Sequence, residues 1–354
     1  MSQKFINEQR LIDLLPKGQS YKACLHTHTT VSDGRFTPEE VKKMYQERGY
    51  SVVAFSDHEV LVPHVDLTDE NFIALTAYEM SINEKRVERL FQYEKCYHFN
   101  CFSKDPNKDV SPVFTEKEIW LEHSKRYVSE AQRKVNYPLC YSKETINDVV
   151  RRLNEDGFLV AYNHPVWSCS DKEDYDFIDG LWGMEVYNND CAFGGYPDTV
   201  RPWEELLKQS KKVFPLATDD MHSANTAFGG FVMLKMTAFS YENVIKAMQN
   251  GDFYASEGPL IYSLTLDGTT LKITCSPCES ITVSTQMRAR QRKNGKAITN
   301  AEFNVKNYFD LYEDAKKNKG QETYFRIEIT DEKGRRAYTK AFFIKDIINQ
   351  NKLI

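Results

Sequence analysis

Nowhere do the 354 residues contain an apolar run near the ~18 needed to span a bilayer, so no membrane-spanning helix is expected. The first eighteen residues mix Lys4, Glu8, Arg10, Asp13 and Lys17 with short apolar stretches. They lack the continuous apolar segment of a secretory leader, and cytoplasmic residence is the expectation. Cysteine is sparse: eight in a chain this long do not make a disulfide scaffold, and in a reducing compartment most should be buried thiols. The one close pair, Cys275-Ser276-Pro277-Cys278, lies between two strand-like segments and reads as a plain β-connection, not as a redox motif at a helix end. An excess of positive charge is also missing. With 46 Lys and Arg against 51 Asp and Glu the net charge is -5, which offers no general attraction to duplex nucleic acid or an anionic membrane. Any phosphate binding must be local. The single basic run, Arg288, Arg290, Arg292, Lys293 and Lys296, has no interleaved aromatics and is expected to be a solvated hairpin or loop. Repeats and low-complexity tracts are absent, and 41% hydrophobic with 13% aromatic residues excludes wholesale disorder.

What is present is an alternation of short apolar runs and amphipathic stretches up to about residue 250. Candidate strands are Lys22–Thr27, Ser51–Ser56, Phe72–Glu79, Cys96–Phe102, Phe158–Asn163, Gly183–Tyr187 and Val213–Thr218. Thr37-Pro38-Glu39-Glu40 combines a capping Thr, a Pro at the first helical position and a Glu three residues after the cap, starting a helix that runs to Gly49. Further helices are expected at Lys143–Glu155, Pro202–Gln209 and Tyr241–Asn250, the last closed by Gly251. Alternating strands and helices predict an α/β fold with a parallel sheet, and seven strands suggest a barrel. Ser103–Tyr141 interrupts the alternation and is expected to be an inserted excursion, with a helix over Thr115–Val135. After Gly258-Pro259 the pattern becomes alternating: Tyr262–Leu266, Leu271–Thr274, Ile281–Thr285, Tyr324–Thr330 and Arg336–Ile344, with turn signals at Asp267-Gly268 and Lys333-Gly334. This predicts a small antiparallel, sandwich-like β domain over 260–354, following a larger domain over 1–259 that carries the insert at 103–141.

The histidines carry the chemistry. His26-Thr27-His28 closes the first strand, where alternate residues share a face and two imidazoles can converge on one ion. Such a pair alone is weak evidence, because buried histidines often satisfy only a core hydrogen bond. The following strands change that: they end in or carry Ser56-Asp57-His58, Ala77-Tyr78-Glu79, Tyr97-His98-Phe99-Asn100, Asn163-His164-Pro165 and Thr218-Asp219-Asp220-Met221-His222. Six of the eight histidines thus fall at or near strand C-termini, the rim where parallel barrels build active sites. That distribution predicts a polynuclear metal site. His64 and His123 fall outside the series and read as loop or surface residues.

The series HTHTTVSDG, SDHE, YEM, HFN, NHP and TDDMH resembles the PHP (polymerase and histidinol phosphatase) family of metal-dependent phosphoesterases, over roughly residues 21–259. It looks most like the stand-alone branch acting on small nucleotides and similar phosphoesters. The resemblance implies a distorted seven-stranded β/α barrel and a set of metal ligands. One ion would take His26, His28, Glu79 and Asp220; a second would share Glu79 and add His98 and His164; a third would use Asp33, His58 and His222. Asp220 is preferred to Asp219 because its two-residue offset from His222 repeats that between His26 and His28. Two or three divalent ions of zinc, manganese or iron suit these nitrogen and oxygen ligands. They would activate a bridging water and clamp the attacking and leaving oxygens, with Glu79, Asp220 and His222 at the catalytic centre. Asp57 is a candidate for orienting a ligand imidazole, or else caps the strand end. Arg35 is a candidate contact for a substrate phosphate, and Glu185 and Asn188 for lining the pocket. The implied activity is hydrolysis of phosphorylated small molecules, bisphosphates or short nucleotides. The alternatives are a metallohydrolase of an amide or lactone, and a metal-binding scaffold with a vestigial site.

Overall fold

A computed structural model describes residues 11–350 apart from 85, 88–91, 94, 197–198 and 318–321, so the first ten residues of the Met1–Gly18 stretch lie outside the described residues. The first part of the chain forms strands β1 (Leu11–Asp13), β2 (Gln19–Cys24), β3 (Tyr50–Phe55), β4 (Ile73–Asn83), β5 (Arg86–Val87), β6 (Gln92–Tyr93), β7 (Cys96–Ser103), β8 (Phe158–Tyr162), β9 (Gly183–Asn188), β10 (Phe214–Thr218), β11 (Phe231–Met236) and β12 (Phe253–Ser256). Among them lie helices α1 (Pro38–Gln46), α2 (Lys143–Glu155), α3 (Lys172–Tyr175), α4 (Asn189–Phe193), α5 (Arg201–Lys208) and α6 (Tyr241–Asn250). The local chemistry of α1 is as expected: Thr37 Oγ1 accepts from the Glu40 N–H, and Glu40 Oε2 accepts from the Thr37 N–H. The helix stops at Gln46, three residues before Gly49. At the end of α6, Gly251 adopts a left-handed φ of 63° that favours glycine. Among the described residues no helix is long and apolar enough to cross a membrane.

The fold is mixed α/β around one large sheet, in the order β11-β2-β3-β4-β7-β8-β9-β10 through the first part of the chain. The purely parallel sheet expected from the sequence is corrected. β7 runs antiparallel to both β4 and β8, because the β4–β7 connection holds the short β5–β6 pair in place of a helical crossover. Seven strands, β2 to β10, do succeed one another, but the sheet is not closed. The outer edge of β2 is occupied by antiparallel β11, which is flanked in turn by β12, so β10 finds no free edge to pair with. Only the segments beyond β2 and β10 meet, in a single parallel bridge between Thr27 and Met221.

The insert is also corrected. Over Thr115–Val135 the chain forms 3-10 turns at Glu116–Glu118, Glu122–Tyr127 and Gln132–Lys134, not one helix. Phe114, Ile119 and Val128 pack in a small cluster with Val31 and Val60 from the loops after β2 and β3, a tertiary contact that holds the segment in separate turns.

Beyond Pro259 come β13 (Ile261–Asp267), β14 (Thr270–Thr285), β15 (Gln291–Asn304), helix α7 (Lys306–Lys317), β16 (Tyr324–Thr330), β17 (Arg336–Thr339), β18 (Phe342–Phe343) and α8 (Ile344–Gln350). All their strand pairings are antiparallel, and β17 pairs with β12, which joins them to the main sheet. β1 pairs with β13, and Leu14 and Leu15 enter the apolar cluster that these strands build. The two short strands expected on either side of Cys275–Cys278 are one strand, β14, whose register shifts at Cys278; the two thiols are buried and free, 3.8 Å apart. The basic run lies across the turn and the start of β15 in the antiparallel β14–β15 hairpin, and Arg288, Arg290, Arg292, Lys293 and Lys296 are exposed, as the expected solvated hairpin requires. Arg326, 3% exposed, ties β16 to α5 through ion pairs with Glu204 of that helix and Glu328.

Candidate metal centre

The site is assembled by backbone bonds between segments that continue past the strand ends. The Asp220 N–H donates to His26 O and the His28 N–H to Met221 O, each at 3.0 Å. The Ser56 N–H donates to Thr27 O at 2.9 Å, and the Glu59 N–H to Glu79 O at 2.8 Å. These bonds bring His26, His28, His58, Glu79, Asp220 and His222 to one rim. His98 reaches the same rim differently: it stands near the start of antiparallel β7, opposite Ser81 near the end of β4. Three non-glycine residues here, Glu59, His164 and Asp220, have left-handed φ values of 62°, 25° and 53°. Strained backbone of this kind concentrates at functional sites.

Glu79 is the centre, 1% exposed. Its Oε1 lies 3.4 Å from His26 Nε2, 3.1 Å from His98 Nδ1 and 3.3 Å from His164 Nε2, while Oε2 lies 3.4 Å from His28 Nε2 and 3.1 Å from His58 Nδ1. Asp220 Oδ1 stands 3.2 Å from His26 Nε2 and 3.0 Å from His28 Nε2. Asp33 lies 3.4 Å from His222 Nε2, 3.6 Å from His28 Nδ1 and 3.7 Å from His58 Nε2. The side chains fall into three sets whose ligand atoms lie within 4.8 Å of one another: His26, His28, Glu79 and Asp220; His28, Asp33, His58 and His222; and His58, Glu79 and His98. The first set has the membership implied by the resemblance. The others differ from it in letting His28 and His58 face two sets each, with His164 beside Glu79.

Several imidazoles are held from behind. His26 Nδ1 is 2.7 Å from Glu185 Oε1, which also accepts from Thr218 Oγ1 at 2.6 Å; Glu185 Oε2 accepts from the His164 N–H at 2.8 Å and from Asn188 Nδ2 at 2.9 Å. His222 Nδ1 pairs with Asp220 O at 2.9 Å, and His164 Nδ1 with Ser168 Oγ at 3.2 Å. Asn163 Nδ2 donates to Glu79 Oε1 at 2.6 Å. Asp57 turns elsewhere. Its Oδ1 accepts from the Thr29 and Ser32 N–H groups at 2.8 and 3.1 Å and from Ser32 Oγ at 2.8 Å, so it fastens the turn carrying Asp33 and not an imidazole. In that turn Gly34 lies against the strand extension: a Cβ there would stand 2.4 Å from His28 O. Asp219 is spent on the Phe228, Gly229 and Gly230 N–H groups and Tyr45 Oη, and is turned away from the cluster. The Arg35 side chain is exposed, with its N–H bonded to His222 O.

The electrostatics are those of a crowded, desolvated cluster. Burial opposes protonation of His28, yet the carboxylates of Asp220 and Glu79 beside it push it up to about 10. Burial and the neighbouring His28 push His58 down to about 3. Burial would raise Glu79 and Asp220, but the imidazoles around them, His26 foremost, hold both well below the usual carboxylate range. Asp220 Oδ1 and His58 Nδ1 are buried and have no hydrogen-bond partner, for all their close neighbours. His26 Nε2 faces His28 Nε2 at 3.2 Å. Ring nitrogens and carboxylate oxygens pointed at one another in this way suit divalent cations, and no thiolate is among them.

His64 lies apart, against the Phe55 ring, and His123 Nε2 pairs with Ser32 O at 2.7 Å. Sequence reasoning gave Glu185 only a lining role and missed Asn163, Ser168, Trp120 and Trp167. Glu185 had one readable signal, a carboxylate on an otherwise apolar strand end; the tryptophans had none.

No protein-family model and no curated protein matches this sequence. Among solved structures, the chain is similar to a two-domain protein from Bacteroides vulgatus described as containing a predicted PHP-like metal-dependent phosphoesterase, at 14% identity over 95% of this chain and 98% of that one, with a TM-score of 0.44. It is similar to an amidohydrolase from Chromobacterium violaceum at 13% identity, over 65% of this chain and 96% of that one, with a TM-score of 0.42. A lesion-specific endonuclease from Pyrococcus furiosus matches at 15% identity over 66% of this chain and 56% of that one, with a TM-score of 0.37.

Proposed function

We propose that the chain is a metal-dependent phosphoesterase of the PHP type, hydrolysing small phosphoesters at the His/Asp/Glu rim. The observation that carries this reading is Glu79, buried among five imidazoles, with Asp220 and Asp33 completing the set. Phosphate esters are anionic and repel hydroxide, so a site that cleaves them needs positive charge and a nucleophile at neutral pH. With neutral imidazoles the three carboxylates would leave the rim negative; two or three divalent ions of zinc, manganese or iron held there would reverse its sign and supply an activated water.

In this reading His26, His28, Glu79 and Asp220 hold one ion, Glu79 with His98 and His164 a second, and Asp33, His58 and His222 a third. Glu185 and the Asp220 carbonyl fix the rings of His26 and His222 so that their Nε2 atoms face inward. Asp57 acts through the turn it fastens, setting the position of Asp33, and Arg35 at the mouth takes a phosphate oxygen. Residues 1–259 would carry the chemistry, with 260–354 as an appended β unit, and the protein would work in the cytoplasm on phosphorylated small molecules or short nucleotides and not on duplex nucleic acid.

The test is purified protein loaded in turn with zinc, manganese or iron and offered nucleotides, bisphosphates, sugar phosphates and short RNA, beside a panel of amides and lactones. Phosphate release that disappears in Glu79→Ala, with loss of bound metal, is expected. Turnover confined to amides or lactones would overturn the reading.

A further inference from the structure

Two of the four tryptophans are core residues: Trp182 and Trp203 are 6% and 0% exposed, and their indole N–H groups donate to Met248 O and Val213 O, each at 2.8 Å. The other two are 61% and 40% exposed, and both stand against the imidazoles of the metal centre. The Trp120 ring centroid is 6.1 Å from that of His58; Trp167 lies 4.9 Å from His164 and 5.4 Å from His98.

Neither indole hangs on a loose loop. The insert that carries Trp120 is fastened to the Asp33 turn, where Ser124 Oγ donates to Val31 O and His123 Nε2 pairs with Ser32 O, both at 2.7 Å. Ile119, next to Trp120, is buried in the apolar cluster with Val31 and Val60. Trp167 sits in a turn closed by the Ser168 N–H on His164 O, and Ser168 Oγ meets His164 Nδ1. Leaving two indoles in water forgoes the burial that ordinarily stabilises such rings, and these two flank the candidate metal centre.

We propose that Trp120 and Trp167 are specificity-determining residues: they form an aromatic mouth that stacks a planar ring carried by the phosphoester while its phosphate lies on the metal centre. This deepens the reading above and rests on it. Planar rings stack on indole irrespective of their substituents, so an aryl phosphate and a nucleotide base share the required chemistry. A sugar or glycerol phosphate offers the mouth nothing to stack.

The experiment uses the metal-loaded full chain and two readouts. One is kcat/KM for phenyl phosphate, a nucleoside monophosphate and glycerol phosphate; the other is quenching of tryptophan fluorescence by the same three compounds. Wild type is expected to favour the ring-bearing esters, and to be quenched by them but not by glycerol phosphate. Trp120→Leu and Trp167→Leu should each lower the ratio of kcat/KM for ring-bearing esters to that for glycerol phosphate about tenfold, while Trp→Phe at either position retains most of the preference. A preference for phenyl phosphate alone identifies the ring as an aryl group; a preference for the nucleotide identifies it as a base. Equal turnover of all three esters, or Leu and Phe variants that behave alike, overturns the aromatic mouth and leaves the phosphoesterase reading standing. If no phosphoester is turned over, that reading falls, and quenching by ring compounds that is lost in the Leu variants still decides for the mouth; its absence decides against it.

Discussion

Glu59 should make the metal-free protein lose stability as the pH rises from acid to alkaline. Its carboxyl is 6% exposed, follows His58, and accepts from the N–H and the hydroxyl of Ser81. Burial pushes it from an ordinary value near 4.5 up to about 8, against the pull of those two bonds. A carboxylic acid whose folded-state pKa exceeds its unfolded value binds its proton more tightly in the native state. The native state is therefore favoured at low pH, and the advantage is lost as the pH rises from about 4.5 to about 8. At ~1.4 kcal/mol per pH unit the upper bound on this loss is about 5 kcal/mol, and about 2 kcal/mol would suffice to be measured. Glu59→Gln keeps an oxygen acceptor for Ser81 and removes the charge. Urea unfolding of chelator-treated wild type and variant should give nearly equal stabilities at about pH 5 and a variant more stable by about 2–5 kcal/mol at about pH 9. The imidazoles titrate in both proteins, so the pH-dependent part of the difference reports Glu59. A difference that stays constant across this range, or a variant that is the less stable at high pH, would refute the reasoning.

Glu185→Gln removes the anionic partner of His26 Nδ1 and is expected to weaken metal affinity about 10- to 100-fold, read by competition with a chromophoric chelator; unchanged affinity would count against Glu185 as a positioning residue. Arg326→Ala strips Glu204 and Glu328 of their partner between α5 and β16, and should cost about 2–4 kcal/mol in urea unfolding, whereas Arg326→Met, which keeps the packing on Trp203, should cost less.

Much of the candidate site is legible in the sequence because most of its residues stand where an apolar strand runs out. The preference for Asp220 over Asp219 rests on a two-residue offset; in the structure Asp220 pairs by backbone with His26, while Asp219 accepts from the Phe228–Gly230 amides. What the sequence hides is direction and closure. Nothing in Cys96–Ser103 says that the strand runs backwards, so His98 reads as lying beside a C-terminal strand end when it stands near the start of an antiparallel one. Phe231–Met236 escapes notice as a strand, yet by taking the edge of β2 it decides that the sheet stays open. The helix expected over Thr115–Val135 does not form because Ile119 and Val128 pack against Val31 and Val60 of other loops, a tertiary demand that local periodicity does not record. Trp120 and Trp167 are invisible for the same reason: an exposed indole and a buried one look alike until their neighbours are known.

The geometry of this cluster suits cations better than a hydrogen-bonded core. His28 and His58 have ring centroids 4.4 Å apart, yet one is pushed up to about 10 and the other down to about 3. Both lie against Glu79, and burial opposes protonation of each. The carboxylates of Asp220 and Glu79 outweigh burial at His28, whereas burial, and after it the neighbouring His28, hold His58 down. A core network would relieve this conflict by donating from one ring to the next acceptor, but Asp220 Oδ1 and His58 Nδ1 stay buried without hydrogen-bond partners. A divalent ion relieves it in another way, by replacing protons with a charge that several nitrogens and oxygens can share, which ties ion binding at this rim to proton release.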